Sequence, residues 1–260
     1  MIVKGGEDMR QDQFVSQAIR LFNIYFEKEN THLFLRPINV ITTGKGGIIQ
    51  TLTNTISIDK IKKDNTNIEN LTHYYSIKFG GYGSKSYKKA LLNFASSLAG
   101  YSLLSYILQI KDRHNGNILL DDDGFLVHID FGFLLDSSPG NVDFEKSPFK
   151  MTGEYIDLLG GVESKYFKEF KNLFFKGLLI LRENYQSILS FMEIYMFTNN
   201  DLPCFKNKND ILQGLKERLM LKDNYEEIKK LVNSIIELSC NNWRTKVYDG
   251  FQKYCVGISS

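Results

Sequence analysis

The sequence predicts an α+β fold in which a short β-rich part precedes a mostly helical one. Two β-favouring runs, 38–42 and 48–53, lie on either side of a Gly-rich segment, as in paired strands joined by a turn. Apolar residues recur at helical intervals over 8–29 and through most of 154–257. The strands therefore concentrate early in the chain, and helices make up most of the rest.

The composition is that of an ordinary globular protein, with 43% hydrophobic and 24% charged residues among 260. The length allows one large domain or two lobes. The net charge of +2 gives no signature of nucleic-acid binding. Three cysteines without metal-type spacing indicate reduced thiols in the cytoplasm. No uninterrupted apolar run reaches the roughly 20 residues that span a bilayer, so we expect membrane contact to be peripheral.

The first elements follow from the spacing of apolar residues. Residues 1–4 have the pattern of a strand that runs into the loop 5–7. Residues 8–29 predict a helix whose apolar face comprises Phe14, Val15, Ala18, Ile19, Phe22 and Phe26. The Gly-rich segment 43–47 lacks the Gly-x-x-x-x-Gly-Lys-Ser/Thr spacing of a phosphate-binding loop, and no helix follows it. We therefore interpret it as a hairpin turn.

The middle of the chain combines a polar stretch with an apolar one. Residues 60–87 are rich in Lys, Asn, Gly and Ser with little periodicity, which indicates a surface insertion, partly disordered. Its lysines form either a solvated face, the default interpretation, or a surface attracted to an anionic membrane. The segment 90–110 is apolar on almost every side and predicts a central buried helix.

A second hairpin is indicated by the apolar runs 118–120 and 125–127, which enclose three aspartates and a glycine. If its turn centres between Asp123 and Gly124, Asn117 faces Asp130 across the ribbon. An amide oxygen and a carboxylate side by side are the ligands that a hard cation such as Mg²⁺ requires. The sequence therefore predicts a metal site at the open end of this hairpin.

The loop before this hairpin contains candidates for proton transfer. Asp112 lies five positions before Asn117, the interval found in the catalytic loop of protein kinases, although the triplet here reads Asp-Arg-His. In phosphoryl transfer one side chain takes the proton of the accepting hydroxyl. Because a histidine titrates near neutrality, His114 is the preferred proton acceptor. Asp112 would then orient His114 or the substrate.

These motifs together resemble a known superfamily. Asp-Arg-His-Asn-x-Asn at 112–117, followed by His-Ile-Asp-Phe-Gly at 128–132, resembles the phosphoinositide 3-/4-kinases, a superfamily that includes related large protein kinases. The run 111–118 is similar to the type III phosphatidylinositol 4-kinases. The beta-like branch is matched best by the runs at 137–141, 149–152, 202–205, 215–218 and 246–252. The resemblance covers nearly all of the chain.

The resemblance implies a bilobal, protein-kinase-like fold with a truncated, β-rich N-lobe in 1–58 and a helical C-lobe in 59–260. The glycine-containing loop that covers the ATP phosphates in this family has no match in the sequence. We therefore expect the 260 residues alone to have little or no activity, because phosphates enclosed on one side only are poorly held and poorly shielded from water.

The resemblance also implies an ATP site at the junction of the lobes. Lys4 matches the phosphate-binding lysine of the family, and Asp12 matches an acidic residue that orients this lysine or the metal–phosphate assembly. The other implied contacts are backbone groups that bind adenine and apolar walls around it. These positions are Gln50 and Leu52 for the backbone groups, and Leu119 and Ile129 for the walls.

The implied reaction transfers the γ-phosphate of ATP to the 4-hydroxyl of phosphatidylinositol, with Asn117 and Asp130 holding Mg²⁺ or Mn²⁺. The loop 133–152 would face the inositol headgroup. Lys146 and Lys150 are its only basic residues, which suits a headgroup without ring phosphates, and Lys150 is the candidate for contact with the headgroup phosphate. The resemblance further implies attachment to intracellular membranes of the Golgi type, with small GTPases or adaptor proteins as partners.

Two other functions remain open from the sequence. A Ser/Thr protein kinase of the related large family would share the fold, but that family usually has Pro where this chain has Asn115. A noncatalytic adaptor with a kinase-like fold would bind partners without turnover, but no motif position in the chain is degraded. Both interpretations carry less support than lipid phosphorylation.

Overall fold

The structure, a computed structural model, describes residues 1–64, 67–138 and 147–241. The strands are β1 (Ile2–Gly5), β2 (Val40–Thr43), β3 (Gly46–Ile49), β4 (Thr55–Ser57), β5 (Ile118–Asp121) and β6 (Leu126–His128). The helices are α1 (Arg10–Lys28), α2 (Ile58–Asp64), α3 (Leu71–Lys78), α4 (Lys85–Leu108), α5 (Gly153–Leu158), α6 (Lys165–Glu183), α7 (Tyr185–Thr198), α8 (Lys208–Arg218) and α9 (Tyr225–Asn241). The α+β class predicted from the sequence is confirmed.

The first sheet contains three antiparallel strands in the order β1-β3-β2. Lys4 pairs with Gly47, and Val40 pairs with Ile49. The interpretation of the Gly-rich segment as a hairpin turn is confirmed, because it joins β2 to β3. A side chain at Gly46 would place its Cβ 2.2 Å from the Lys4 carbonyl oxygen. The glycines therefore allow close approach of the three strands.

Helix α1 packs its predicted apolar face into the core. The six residues that define that face are at most 1% exposed: Phe14, Val15, Ala18, Ile19, Phe22 and Phe26. The ring of Phe14 lies 5.5 Å from that of Phe191 and 5.4 Å from that of Phe205. The first helix is thus bound to the C-terminal part of the chain, which holds the first sheet against the helical part.

The expectation of a partly disordered insertion over 60–87 is wrong for most of that stretch. Helices α2 and α3 occupy it, and Ile61, Leu71 and Tyr75 are at most 1% exposed. Asn70 caps α3, because its side chain accepts the His73 N–H. Helices of seven and eight residues contain too few turns for apolar periodicity to reveal them.

Helix α4 is the centre of the helical part, as the sequence predicts. Phe94, Leu103, Leu104 and Ile107 are fully buried, although Leu92 is 48% exposed. In the described part of the chain, α4 is the single helix whose length and composition match those of a membrane span, and 83% of the matching window is buried inside the protein. This burial is typical of a core helix.

Two turns, after α3 and after α5, have the same construction. The first contains three glycines with positive φ and the second contains two, and each has an exposed apolar residue and a serine that caps the next helix. Each serine hydroxyl accepts an N–H of the following helix and donates to a carbonyl that precedes the turn. The sets are Ser84 with Tyr87 and Phe79, and Ser164 with Phe167 and Leu159. Because α3 packs against α5, two copies of one helix–turn–helix unit lie side by side.

The C-terminal helices contribute apolar stripes to the core, as predicted. Ile188, Met192 and Met196 of α7 are buried. In α9, Ile228 and Val232 are buried, but the predicted core residue Leu231 is 40% exposed. The last part of the stretch 154–257, for which the sequence also predicts helix, includes Trp243 and Phe251 and lies outside the described residues.

The second sheet has the order β4-β5-β6 and contains the hairpin predicted from the sequence. Its register differs by one residue from the prediction, because Ile118 pairs with His128 and the Ile129 N–H donates to the Asn117 carbonyl. The predicted pairing of Asn117 with Asp130 is therefore wrong. The Asp121 carboxylate accepts two main-chain N–H groups of the turn. This contact builds a three-residue turn instead of the two-residue turn on which the prediction depended.

We expect Gly124→Ala to destabilise the protein more than Gly161→Ala. Both glycines have φ near +90°, so either alanine costs about 1–2 kcal/mol in backbone conformation. A Cβ at Gly124 would lie 2.9 Å from the Ala90 Cβ, whereas nothing lies within 4 Å of a Cβ at Gly161. Overpacking adds about 1–3 kcal/mol at Gly124 only. The free energy of unfolding in urea measures both effects, and equal losses would contradict this packing.

Candidate active site

Two loops form the candidate site: residues 111–117 after α4, and residues 129–133 after β6. Asp112 and Asp130 both have left-handed backbone conformations, with φ of 61° and 60°. Aspartate tolerates this conformation better than most residues, and such positions concentrate at functional sites. The Lys111 N–H donates to the Phe133 carbonyl at 2.9 Å, so the loops are paired at this point.

Arg113 joins the two loops through hydrogen bonds of its side chain. This residue is 3% exposed, and its guanidinium donates to the carbonyls of Lys111, Ile129 and Asp130. It also lies 5.4 Å from the centre of the Phe131 ring. Sequence reasoning did not assign a role to Arg113, although its place between the two candidate residues Asp112 and His114 was a signal. The guanidinium therefore fixes the position of the Asp130 backbone relative to the loop 111–117.

Of the two predicted metal ligands, Asn117 is the last residue of the loop 111–117 and Asp130 is the second residue of the loop 129–133. The Asn117 side-chain N–H donates to the Asp112 carbonyl at 3.0 Å, which leaves the amide oxygen as the group that can bind a cation. Asp130 is exposed. An amide oxygen and a carboxylate fit Mg²⁺, which takes one or two carboxylates and completes its shell with phosphate and water oxygens. The described residues contain no cluster of three His, Cys, Asp or Glu side chains that could hold a metal alone.

His114 is held by its own loop. Its Nδ1 accepts the Gly116 N–H at 3.1 Å, so the neutral ring carries its proton on Nε2. Burial lowers the pKa of His114, and the positive charges of Arg113 and Lys150 lower it further, while Asp112 raises it. The neutral ring is therefore favoured, and it can donate a hydrogen bond from Nε2. To accept a proton, as the sequence analysis prefers, the ring must first release Gly116.

Lys4 and Asp12 both lie near enough to the Asp130 carboxylate for its charge to contribute to their raised pKa values. The direct partner of Lys4 is Glu7, at 2.9 Å, and this hydrogen bond is the largest cause of the raised pKa of Lys4. Asp12 accepts the Phe131 N–H at 3.1 Å. Burial raises the pKa of Asp12, and its bond to Phe131 opposes that change.

A neighbouring side chain on α1 makes a related contact that sequence reasoning missed. The Gln11 side-chain N–H donates to the Gly132 carbonyl at 2.5 Å. Gln11 and Asp12 therefore bind main-chain groups of two successive residues, Gly132 and Phe131, in the loop that carries Asp130, one as donor and one as acceptor. The Gln-Asp pair at the start of the predicted helix was the available signal.

One cavity of about 270 Å³ brings the predicted nucleotide residues together. It lies between the first sheet, α1 and the β5–β6 hairpin, and Asp130 also lines it. The predicted residues in its lining are Lys4, Asp12, Gln50, Leu52, Leu119 and Ile129. Its volume is near the lower end of the range of roughly 300–1,000 Å³ for small-molecule sites.

At Gln50, where the chain leaves the first sheet, the side-chain oxygen replaces the main-chain carbonyl as the partner of a neighbouring N–H. The Gln50 N–H donates to the Asn39 carbonyl at 2.9 Å, so this N–H is not available to adenine. The Asn39 N–H, however, bonds to the Gln50 side-chain oxygen at 3.1 Å in place of the Gln50 carbonyl. The carbonyl of Gln50 and the N–H of Leu52 are then the groups that could bind the edge of a base.

Lys150 is buried, at 7% exposure, and does not lie on the surface. Its ammonium donates to the Asn115 side-chain oxygen at 3.3 Å. This hydrogen bond places the ammonium of Lys150 against the loop 111–117, and its predicted contact with a lipid headgroup stays a prediction. Lys146, the other basic residue of the predicted headgroup loop, lies outside the described residues.

A larger cavity, of about 640 Å³, contains none of the predicted residues. It is lined by the β2–β3 turn and by Asp8, Arg10 and Asp201. The Arg10 guanidinium already pairs with both carboxylates, at 2.6 Å and 2.7 Å. The smaller cavity, which is lined by the loop that carries Asp130, is therefore the better candidate for a reaction site.

Comparisons with known proteins agree on one family. A family profile described as phosphatidylinositol 3- and 4-kinase matches residues 1–207. A phosphatidylinositol 4-kinase of Dictyostelium discoideum is 40% identical over 99% of this chain and 22% of its own length. A phosphatidylinositol 4-kinase beta of Danio rerio is 38% identical over 99% of this chain and 30% of its own. A probable phosphatidylinositol 4-kinase STT4 homolog of Encephalitozoon cuniculi is 42% identical over 100% and 18%. The chain thus spans less than a third of these relatives.

We expect the stability of the protein to fall below about pH 6.5 because of His128, whose unfolded pKa is about 6.5. His128 is buried against the Tyr101 ring, and burial holds its pKa well below the usual value. The unfolded chain therefore takes up a proton that the folded protein does not. The resulting loss approaches about 1.4 kcal/mol per pH unit as the pH falls below 6.5.

Urea unfolding between pH 5 and pH 7, in buffer with EDTA, measures this slope. His128→Phe supplies an aromatic ring that does not titrate, so the dependence of the unfolding free energy on pH should become flatter. His73→Gln, at a half-exposed position on α3, is the matched control and should leave it unchanged. A slope that persists in His128→Phe would show that other groups cause it.

Proposed function

Because the chain belongs to the phosphatidylinositol 3- and 4-kinase family, we propose that it transfers the γ-phosphate of ATP to the 4-hydroxyl of phosphatidylinositol. The observation that carries the proposal is the cavity lined by six predicted nucleotide residues and by Asp130, whose loop is bonded to the loop 111–117 through Arg113. The printed names of the relatives support the 4-hydroxyl as acceptor. These relatives are several times longer than this chain. The proposal assigns the activity in their names to the region that the chain and the relatives share.

The nucleotide would occupy the 270 Å³ cavity. Leu119 and Ile129 supply apolar contact to the faces of the base, while the Gln50 carbonyl and the Leu52 N–H bind its edge. Lys4 binds phosphate, and its ion pair with Glu7 holds the ammonium until phosphate competes for it. Both Lys4–Glu7 side chains are partly exposed, so this exchange costs little.

Asn117 and Asp130 would hold Mg²⁺, or Mn²⁺, through oxygen atoms. Such an ion neutralises charge on the terminal phosphates. The residues around these two ligands fix their positions: Asp112 through its carbonyl, Arg113 through the Asp130 carbonyl, and Asp12 through the Phe131 N–H. The backbone on both sides of Asp130 is therefore bonded, while its carboxylate stays accessible.

We assign the hydroxyl proton to Asp112. The carboxylate of Asp112 accepts this proton as the hydroxyl oxygen bonds to phosphorus and the bond from phosphorus to ADP breaks. Neutral His114 donates from Nε2 to a phosphoryl oxygen, because its Nδ1 is occupied by Gly116. This division of roles reverses the preference that the sequence suggests.

The acceptor lipid would be presented at a membrane surface, to which the protein attaches peripherally. The named relatives are phosphatidylinositol 4-kinases, whose substrate is a membrane lipid. We propose intracellular membranes of the Golgi type as the location, and small GTPases or adaptor proteins as partners, by resemblance to the beta forms. Unphosphorylated phosphatidylinositol suits the few basic residues in 133–152.

We expect Asp130→Asn to lower the rate of lipid phosphorylation by about 10²–10³-fold, because one charged ligand that stabilises the transferring phosphate is lost. The measurement is transfer of labelled phosphate from ATP to phosphatidylinositol in vesicles, with the ring position of the product identified. EDTA should abolish the transfer.

Asp122→Asn is the matched control for this prediction. Asp122 is an exposed aspartate of the β5–β6 turn that pairs with Lys78, so its loss should leave the rate unchanged. Labelling of a peptide in preference to the lipid would favour the related protein kinases. A fully active Asp130→Asn variant would refute the assignment of the site.

We expect Asp112→Asn to lower kcat by about 10²–10⁴-fold at every pH, since the proton acceptor is removed. His114→Gln should lower kcat less and should keep the acidic limb of the pH–rate profile. The profiles of kcat for lipid phosphorylation between pH 5 and pH 9 separate the two roles. If the acidic limb disappears in His114→Gln and persists in Asp112→Asn, then His114 is the acceptor.

A further inference from the structure

Lys150 is fixed in position by the residues on either side of it. The preceding Phe149 packs its ring 5.4 Å from that of Phe174 on α6. The following Met151 is 3% exposed, and Thr152 caps α5 by accepting the Tyr155 N–H. The chain around Lys150 is thus attached to two helices. Its side chain is directed by packing and does not sample the surface freely.

The ammonium of Lys150 meets the catalytic loop at Asn115. Its donation to the Asn115 side-chain oxygen, at 3.3 Å, takes place between two buried residues. Asn115 directly follows His114 and stands two residues before Asn117. A hydrogen bond at this point therefore restrains the loop between the proposed donor and the proposed metal ligand.

The charge of Lys150 also acts on the two histidines of the site. Burial is the main cause of the lowered pKa of His114 and of His128, and the charge of Lys150 lowers both further. Burying a lysine costs free energy unless its charge and its donors are used. The burial of Lys150 therefore indicates that its ammonium has a structural role, and the described contact is with Asn115.

We propose that Lys150 is a positioning residue that attaches the segment 147–152 to the loop 111–117 through Asn115, and not a ligand of the lipid headgroup. This inference rests on the proposed function, because the loop it positions is the one assigned to phosphoryl transfer. It also makes the geometry of His114 and Asn117 depend on the segment that precedes α5. A displacement of that loop by about 1 Å can cost 10²-fold in rate.

Two reactions of the natural full-length protein test the proposal: phosphorylation of phosphatidylinositol in vesicles, and hydrolysis of ATP without lipid. We expect Lys150→Met to lower kcat of both reactions by a similar factor, about 10–10²-fold, with KM for the lipid unchanged. Asn115→Ala should have the same effect. The double variant should be little worse than either single one, because both single variants already remove the hydrogen bond between Lys150 and Asn115.

Lys168→Met is the matched control, since Lys168 is an exposed lysine of α6 that pairs with Glu163. It should change neither reaction. Melting temperatures of all variants identify loss of fold, and Lys150→Arg replaces Lys150→Met if the latter unfolds. Arginine keeps the charge but not the geometry, so partial loss of both reactions is then expected.

A raised KM for phosphatidylinositol with unchanged ATP hydrolysis would overturn the proposal and make Lys150 a headgroup ligand. Additive losses in the double variant would overturn it as well. If the unmutated protein hydrolyses ATP but labels no lipid, the proposed function fails. The parallel loss of ATP hydrolysis in Lys150→Met and Asn115→Ala would still support the positioning role.

Discussion

The contact on which the candidate site depends is the guanidinium of Arg113. It is buried, and it donates to main-chain carbonyls on both loops, so the loop that carries Asp112 and the loop that carries Asp130 are fixed relative to each other. Hydrogen bonds from a charged donor contribute about 1.5–3 kcal/mol each. Three such bonds from one planar group also set an orientation, which a lysine could not do.

Helix α1 extends this constraint to the first sheet. Its N-terminal turn contacts the loop after β6 through Gln11 and Asp12, and its apolar face is anchored in the core by Phe14. Lys4 is carried by β1, which is paired with β3. The cavity is therefore bounded on each side by elements whose positions are set by packing, and it does not depend on a single flexible loop.

Much of this arrangement was accessible from the sequence, and the failures have identifiable causes. The helices α1, α4, α7 and α9 were predicted because each has enough turns to show a period. Helices α2 and α3 were missed because they are short, although residues such as Tyr75 are fully buried. The hairpin register was wrong by one residue, because the Asp121 side chain stabilises a longer turn than the Asp-Gly pair suggested.

The sequence by itself indicated the fold class through local patterns, and its motifs resemble the family to which the chain belongs. That resemblance, and not any spacing, implied six of the residues that line the cavity. Tertiary structure decided three points that no spacing could reveal. Arg113 joins the two loops, the Nδ1 atom of His114 accepts the Gly116 N–H, and Lys150 contacts Asn115 in the loop 111–117. Each point depends on contact between segments distant in sequence or on the orientation of one side chain. Such contacts arise only when the chain has packed.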